Sequence, residues 1–116
     1  ENNIYMSTDD GSMGIHGNVI DALIAVFHND KCPADSRVYS CGPPLMMEGV
    51  RQYALDNQLN CHLALETIMA CGIGICQGCT VERKVDQHIN HSYRSRFALS
   101  CIDGPIFKAE EIVSCV

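Results

Sequence analysis

The first predicted helix follows from the spacing of apolar residues near the start of the chain. Leu23 and Phe27 lie on one helical face with further apolar residues three and four positions away. This period predicts a helix over Val19–His28. Asn18 is a residue type that caps helix N-termini, and Asp21 supplies the acidic first turn that the helix dipole favours.

A second run with the same period predicts a helix over residues 45–56. Pro44 suits its first turn, where the missing amide hydrogen costs nothing. We expect the inward face of this helix to be formed by Met46, Val50, Tyr53 and Ala54, with Met47 as further core packing.

Short apolar runs predict three strands, at residues 4–6, 37–40 and 61–65. A strand–helix–strand–helix–strand order favours an α/β fold with a parallel sheet and right-handed crossovers. Ligands bind such sheets at the carboxyl ends of the strands. The polar loop at residues 8–10 and the turn at residues 41–44 occupy these positions.

The pattern changes after residue 65, where the chain loses its helical period. Apolar runs predict strands at residues 80–83 and 97–100, and short edges at residues 106–107 and 112–113. The polar stretch between the first two, residues 84–96, reads as a surface hairpin tip. The last part of the chain is therefore predicted as a small β-rich lobe.

Composition narrows the class of protein. The 116 residues are 47% hydrophobic, enough for one domain or two small lobes, and the net charge of −6 argues against a nucleic-acid partner. No apolar run approaches the ~18 residues of a membrane span. Eight cysteines without a visible leader favour a reducing, cytoplasmic setting, with free buried thiols expected at Cys32, Cys41, Cys61 and Cys115.

The other four cysteines carry the chemistry. Cys71, Cys76 and Cys79 are spaced C-x4-C-x2-C, and Cys101 follows after a long gap. This spacing is typical of plant-type two-iron, two-sulfur clusters. A backbone wrapped around so small a group must curl tightly and approach it closely, which glycine allows. The loop contains three glycines, Gly72, Gly74 and Gly78.

Two other interpretations of the four cysteines remain. Structural zinc sites also use four cysteines, but they usually come as two short pairs, and only one C-x2-C is present. Disulfides fit poorly, because thiols so crowded on a glycine loop have unfavourable geometry. The five histidines show no paired ligand spacing of the kind a Rieske centre requires.

Three separated segments together resemble one family. They are T-D-D-G-S at residues 8–12, C-G-P-P-L-M at residues 41–46, and the cysteine loop at residues 65–79 with C-I-D-G-P-I-F at residues 101–107. In combination they resemble the C-terminal part of the electron-transfer subunits of bacterial NAD-linked dihydroorotate dehydrogenases, members of the ferredoxin-reductase superfamily. The resemblance covers nearly the whole chain.

The resemblance implies a fold and a domain division. The fold would be the C-terminal portion of a ferredoxin-reductase-type parallel-sheet nucleotide domain, followed by a small β-rich iron–sulfur lobe. Residues 1–65 would be a partial NAD-binding domain and residues 66–116 a 2Fe-2S cluster-binding domain. The family's FAD-binding barrel and first glycine-rich turn would precede Glu1. The spacing from the third to the fourth cysteine exceeds the family's, which places an extra hairpin at residues 84–96.

The resemblance also implies cofactors, a partner and site residues. In the family, a partner subunit oxidises dihydroorotate on FMN, and electrons pass through a 2Fe-2S cluster to FAD and then NAD. The expected partner is that FMN-containing subunit, in a heterotetramer, with no nucleic acid and no membrane. Matching the family's motifs, the cluster ligands would be Cys71, Cys76, Cys79 and Cys101. Cys41, Gly42 and Pro43 would lie beside nicotinamide and flavin, and Thr8 and Asp9 would contact the adenosine ribose.

Two alternatives to this function stay open. One is a related electron-transfer subunit that serves a sulfite reductase, a hydrogenase or a ferredoxin–NADP reductase. The other is a non-catalytic interaction module stabilised by zinc.

Overall fold

The computed structural model describes residues 4–28, 35–85 and 92–116. The chain divides into two compact units, and the boundary along the sequence lies between Ser36 and Arg37. The predicted end of the first helix at residues 29–33 lies outside the described residues. In the described part of the chain, no helix is both long and apolar enough to cross a membrane.

The first unit is a small parallel strand pair followed by a helix. Its elements are β1 (Ser7–Thr8), β2 (Ile15–His16) and α1 (Val19–His28). The predicted helix is confirmed at both ends. Asn18 Oδ1 accepts the backbone N–H groups of Ile20 and Asp21 at 2.7 and 3.2 Å, as an N-cap should.

The strand predicted at residues 4–6 is wrong. Residues 4–6 are exposed and lie outside any ladder, and pairing begins one residue later at β1. The Met6 carbonyl accepts the Ile15 N–H at 2.8 Å, so this segment only leads into the pair. The apolar run was misleading because it has no described sheet neighbour to pack against.

The second unit holds the larger sheet and the cysteine loop. Its elements are β3 (Arg37–Ser40), α2 (Pro44–Asp56), β4 (Asn60–Ala64), β5 (Thr80–Glu82), α3 (Tyr93–Arg96), β6 (Phe97–Leu99), α4 (Ser100–Asp103) and β7 (Ile106–Lys108). β3 and β4 run parallel, with Val38 opposite Cys61, and α2 is their crossover. The mixed α/β class is confirmed, and β4 lies one residue earlier than predicted.

The core lies between this sheet and α2. Met47, Val50, Arg51 and Ala54 are the buried residues of α2. They follow the i, i+3, i+4, i+7 spacing of one helical face. The prediction of Val50 and Ala54 is confirmed. The prediction of Met46 and Tyr53 is corrected, because both are half-buried and Met47 faces the sheet instead.

A charged cluster ties α2 to the end of the chain. Glu48 accepts hydrogen bonds from Arg51 Nε and Nη2 at 2.9 and 2.7 Å. The same carboxylate accepts the Cys115 N–H at 2.9 Å. A buried guanidinium is tolerated because a carboxylate compensates its charge.

The tail departs from the predicted β lobe. β7 was expected as an edge beside the cysteine loop, but it pairs antiparallel with β4, so that Leu63 faces Phe107 and Ala64 faces Ile106. The Leu65 N–H donates to the Pro105 carbonyl at 3.0 Å. β7 therefore extends the larger sheet, since Phe107 is apolar and packs into its core at 4% exposure.

The loop-bearing region keeps its own two-stranded ladder. β5 and β6 pair antiparallel, with Val81 opposite Ala98, as their predicted strands required. Ser100 begins a helical turn instead of ending the strand, and residues 93–96 are helical where a hairpin tip was predicted. The rest of that tip, residues 86–91, lies outside the described residues. A boundary between residues 65 and 66 stays a prediction.

Candidate functional site

The cysteine loop curls through three residues with left-handed backbone. Gly72 and Gly74 have φ of +67° and +80°, and Gln77 has φ of +59°. Side chains disfavour this region, so the two glycines are used as predicted. Gly78 has no positive φ, but its N–H approaches Cys76 Sγ at 3.5 Å, which is the close approach that was predicted for the loop glycines. At Gly74 the positive φ itself disfavours any side chain, and an added Cβ would also displace the tip of Ile102, 2.8 Å away.

The curled backbone directs N–H groups at sulfur. Cys71 Sγ accepts from the N–H groups of Ile73 and Cys76 at 3.5 and 3.4 Å, and Cys76 Sγ accepts from Gly78 at 3.5 Å. These donors lower the pKa of Cys71 to about 6, the Cys76 N–H having the largest effect. Thiolate is the form that ligates metal, so the loop favours a ligand.

The remaining two cysteines meet across the small ladder. Cys79 is 3% exposed, directly before β5, and its carbonyl accepts the Ser100 N–H at 2.9 Å. This pairing brings Cys101 beside it. A hydrogen bond with Cys79 raises the pKa of Cys101, as do burial and the charges of Cys79 and Cys71. The structure thus brings all four thiols together.

The surroundings of the sulfurs suit the predicted cluster. Within the described residues, no three His, Cys, Asp or Glu side chains are placed to hold a single metal ion. The sulfur-directed N–H groups and the glycine approach also suit an anionic sulfide core. The residues present fit a 2Fe-2S cluster.

The other cysteines differ from these four. Cys61 is buried, Cys115 is half-buried and Cys41 is exposed, and the described cysteines are free thiols. Burial of Cys41 is thus a wrong prediction, and Cys32 lies outside the described residues. Burial raises the pKa of Cys61, and raises that of Cys115 to about 11, so both stay protonated.

The residues that were predicted to contact the nucleotide and flavin cofactors are divided between the two units. Thr8 and Asp9 belong to the first unit, where Thr8 Oγ1 donates to the Met13 carbonyl at 3.0 Å and Asp9 is exposed. Cys41 and Pro43 are exposed at the carboxyl end of β3, in the second unit. The two sets are therefore each displayed at a surface.

Sequence reasoning missed a shallow apolar cavity beside Cys41. The rings of Tyr39 and His62 stack with centroids 5.1 Å apart and planes 22° apart. They line a cavity of about 230 Å³ with Cys41, Ala64 and Ile106. Alternation along the two parallel strands was the available signal, since residues 39 and 41 share a face with residues 62 and 64.

Comparisons with known proteins address this site directly. Residues 66–113 match the model of the iron–sulfur cluster binding domain of dihydroorotate dehydrogenase B. This segment is similar to that domain family. It contains all four cysteines and both strands of the small ladder.

Relatives extend the similarity to nearly the whole chain. The chain is 39% identical over 110 residues to the dihydroorotate dehydrogenase B (NAD(+)) electron transfer subunit of Streptococcus pneumoniae serotype 4, covering 95% of this chain and 39% of the relative. It is 35% identical over 109 residues to the Enterococcus faecalis V583 subunit of that name, covering 94% and 38%. The chain thus spans about two fifths of these relatives. The predicted resemblance is confirmed.

A solved structure supports the fold. The chain superimposes on an NADH-dependent reduced ferredoxin-NADP oxidoreductase with a TM-score of 0.72 and 28% identity, covering 93% of this chain and 34% of the other. The likeness fits the reductase-type α/β architecture.

Proposed function

We propose that this chain is part of an electron-transfer subunit of the NAD-linked dihydroorotate dehydrogenase type, an oxidoreductase component of pyrimidine synthesis. The observation that carries the proposal is the glycine-curled loop, whose N–H groups point at the Cys71 and Cys76 sulfurs. Such donors stabilise thiolate sulfur. Relatives with this name cover most of the chain.

The cluster ligands in this proposal are Cys71, Cys76, Cys79 and Cys101. A bound 2Fe-2S cluster supplies one-electron transfer. The chain's contribution is to present four thiolates, to stabilise the anionic sulfurs with backbone N–H groups and to keep Cys79 away from water. These features tune potential through hydrogen bonding and burial.

The complete subunit in this proposal also uses FAD and NAD. Cys41, Gly42 and Pro43, at the end of a parallel strand, lie where such sheets bind ligands, and the cavity of Tyr39 and His62 adjoins them. Thr8 and Asp9 contact the adenosine ribose. We place residues 1–65 in the NAD-binding domain and residues 66–116 in the cluster domain.

The partner in this proposal is an FMN-containing catalytic subunit, joined in a cytoplasmic heterotetramer. The deciding experiment is purification of the full-length complex and assay of dihydroorotate-dependent NAD reduction, together with iron and acid-labile sulfide. We expect activity, with two irons and two sulfides for each electron-transfer subunit. A complex that holds the cluster but does not oxidise dihydroorotate contradicts the substrate and leaves the cluster assignment standing.

A second candidate is favoured by the structural match. The superimposed protein is a ferredoxin-NADP oxidoreductase, so the chain could serve ferredoxin instead of dihydroorotate. Reduction of ferredoxin by NADH or NADPH in the purified complex, without dihydroorotate oxidation, supports this candidate.

A further inference from the structure

The helical turn α3 contacts both segments that carry the second pair of cysteines. On one side, the Tyr93 hydroxyl lies 3.4 Å from Thr80 Oγ1. Thr80 directly follows Cys79 and also donates from Oγ1 to the Gln77 carbonyl at 2.6 Å. One end of α3 therefore touches the end of the cysteine loop.

On the other side, α3 reaches the turn that carries Cys101. Arg94 Nη2 donates to Asp103 Oδ1 at 2.8 Å. The second oxygen of that carboxylate accepts the Leu99 N–H at 2.7 Å. The hydrogen bond from Leu99 to Asp103 thus joins the residues before and after Cys101 in one turn. The Arg94 guanidinium pairs with the carboxylate that accepts this bond.

This ion pair differs from an ordinary surface pair. Exposed pairs contribute little, because water screens them and long side chains lose entropy. Here the Asp103 side chain is only 18% exposed and its other oxygen is already committed to backbone.

We propose that α3 is a strap over the cluster region, and that Arg94, acting through Asp103, is a positioning residue for Cys101. The inference rests on the proposed cluster and concerns its retention and potential. With Arg94 present, the Cys101 turn is held against the segment that follows Cys79. Without it, the Asp103 carboxylate loses its cation and the turn is free to open.

Two effects on the cluster follow. Opening of the Cys101 turn exposes a ligand to exchange, so iron should leave faster. An uncompensated carboxylate two residues from a ligand also disfavours the more negative, reduced state. Loss of Arg94 should therefore lower the midpoint potential, an electrostatic readout that a purely structural role does not move.

The chain offers a matched control on the same turn. Arg96 pairs with Glu82 Oε1 at 3.1 Å, with side chains 63% and 43% exposed. Glu82 lies at the far end of β5 from Cys79. Arg96→Gln removes the same charge and a similar ion pair without touching a cysteine-bearing turn.

The test uses the full-length protein in its complex, loaded anaerobically. For Arg94→Gln we expect visible absorbance to bleach in chelator roughly three- to tenfold faster than wild type, on the scale of one partly buried ion pair. The midpoint potential should fall. Arg94→Lys should recover part of both effects, and Arg96→Gln should show neither.

A double-variant cycle checks the route. In an Asp103→Asn background, Arg94→Gln should add little to the bleaching rate, because the carboxylate is already gone. If Arg94→Gln and wild type have the same bleaching rate and the same midpoint potential, the strap proposal is wrong. Equal effects from Arg94→Gln and Arg96→Gln also overturn it. A wild-type protein that contains no iron and no sulfide contradicts the proposed function, and therefore also the strap proposal that rests on it.

Discussion

At the scale of single residues, the described cysteines differ in the surroundings of their sulfur atoms. Cys71 has a lowered pKa because backbone N–H groups favour its thiolate. Cys61 and Cys115 have raised pKa values because burial penalises theirs. Metal affinity requires deprotonated sulfur, so these environments predict different outcomes on substitution.

We expect Ala in place of Cys71, Cys76, Cys79 or Cys101, one at a time, to remove most of the iron. Cys61→Ala and Cys115→Ala should retain it, and they serve as matched controls. Iron and acid-labile sulfide measured on anaerobically purified full-length protein decide the point. Stoichiometric zinc with no sulfide would contradict the cluster.

Asp9 predicts nucleotide preference. An acidic residue near the adenosine ribose can bond its 2′-hydroxyl and repels a 2′-phosphate. Asp9 is exposed and has room for this contact. The full-length enzyme should therefore prefer NADH, and Asp9→Arg should shift kcat/KM toward NADPH by tenfold or more, on the order of one charge reversal.

The neighbouring Asp10 is the control for that experiment. Its Oδ1 accepts the Ser12 N–H at 2.9 Å, so it serves the loop itself. Asp10→Asn should leave the preference unchanged. A wild type that already favours NADPH shows that the loop does not lie at the ribose.

At the scale of elements, the cysteine loop displays apolar side chains. Ile73 and Ile75 are 66% and 75% exposed. Side chains this exposed are not packed into the core. Exposed apolar residues beside a redox site mark a docking patch, and electron transfer requires close approach of the next cofactor.

Ile75→Asp should therefore weaken assembly with the catalytic subunit and leave the cluster's absorption intact. Co-purification of the two subunits measures assembly, the visible spectrum measures the cluster, and dihydroorotate-dependent NAD reduction measures activity of the full-length complex. Ile4→Asp is the control, since Ile4 is 77% exposed in the other compact unit. Normal assembly with a normal spectrum in Ile75→Asp rules out docking there.

The tie between α2 and the tail predicts a pH dependence. The Arg51 guanidinium is the main cause that lowers the pKa of Glu48 from 4.5 to about 2. A lowered folded-state pKa adds stability that is complete above pH 4.5 and is lost as the pH falls toward 2. The contribution is at most about 3–4 kcal/mol, at roughly 1.4 kcal/mol for each pKa unit.

Denaturant unfolding of wild type and Glu48→Gln measures this contribution. The gap between their free energies of unfolding should be largest at neutral pH and shrink below pH 4.5. Glu110→Gln should show no such gap, because Glu110 is 71% exposed and lies 3.9 Å from its lysine. A gap that is constant from pH 7 to pH 3 contradicts the assignment.

The sequence predicted elements best where local signals agreed. α1 has both a capping Asn18 and an uninterrupted helical period, and its bounds are confirmed. α2 has the period but several apolar residues in succession, so its phase was wrong by one residue at Met46. The helical turn α3 has too few residues for a periodic signal, and it was missed.

At the scale of the whole molecule, long-range pairing was the least predictable part. The four cysteines came from spacing, which a small inorganic group dictates locally. The pairing of β7 with β4 could not be predicted in this way, because the sequence of Ile106 and Phe107 suits a strand in either ladder. The burial of Phe107 favours the larger sheet. The Tyr39 and His62 stack was missed for the same reason, since it joins two strands across a crossover.

These 116 residues on their own should neither retain FAD nor oxidise NADH. They span about two fifths of relatives named as electron transfer subunits. Flavin absorbance after gel filtration, with NADH oxidation by dye reduction, tests this. A yellow, flavin-loaded preparation of the fragment contradicts it.

The return of β7 to β4 governs how this region can move. The chain leaves the sheet at Ala64 and rejoins it opposite that residue at Ile106, with Leu65 bonded to Pro105. The segment that carries the cysteine loop is therefore anchored at both of its ends to neighbouring positions of one sheet. We therefore expect the distance between the Cys41 turn, which follows β3 of the same sheet, and the cysteine loop to depend on this paired neck.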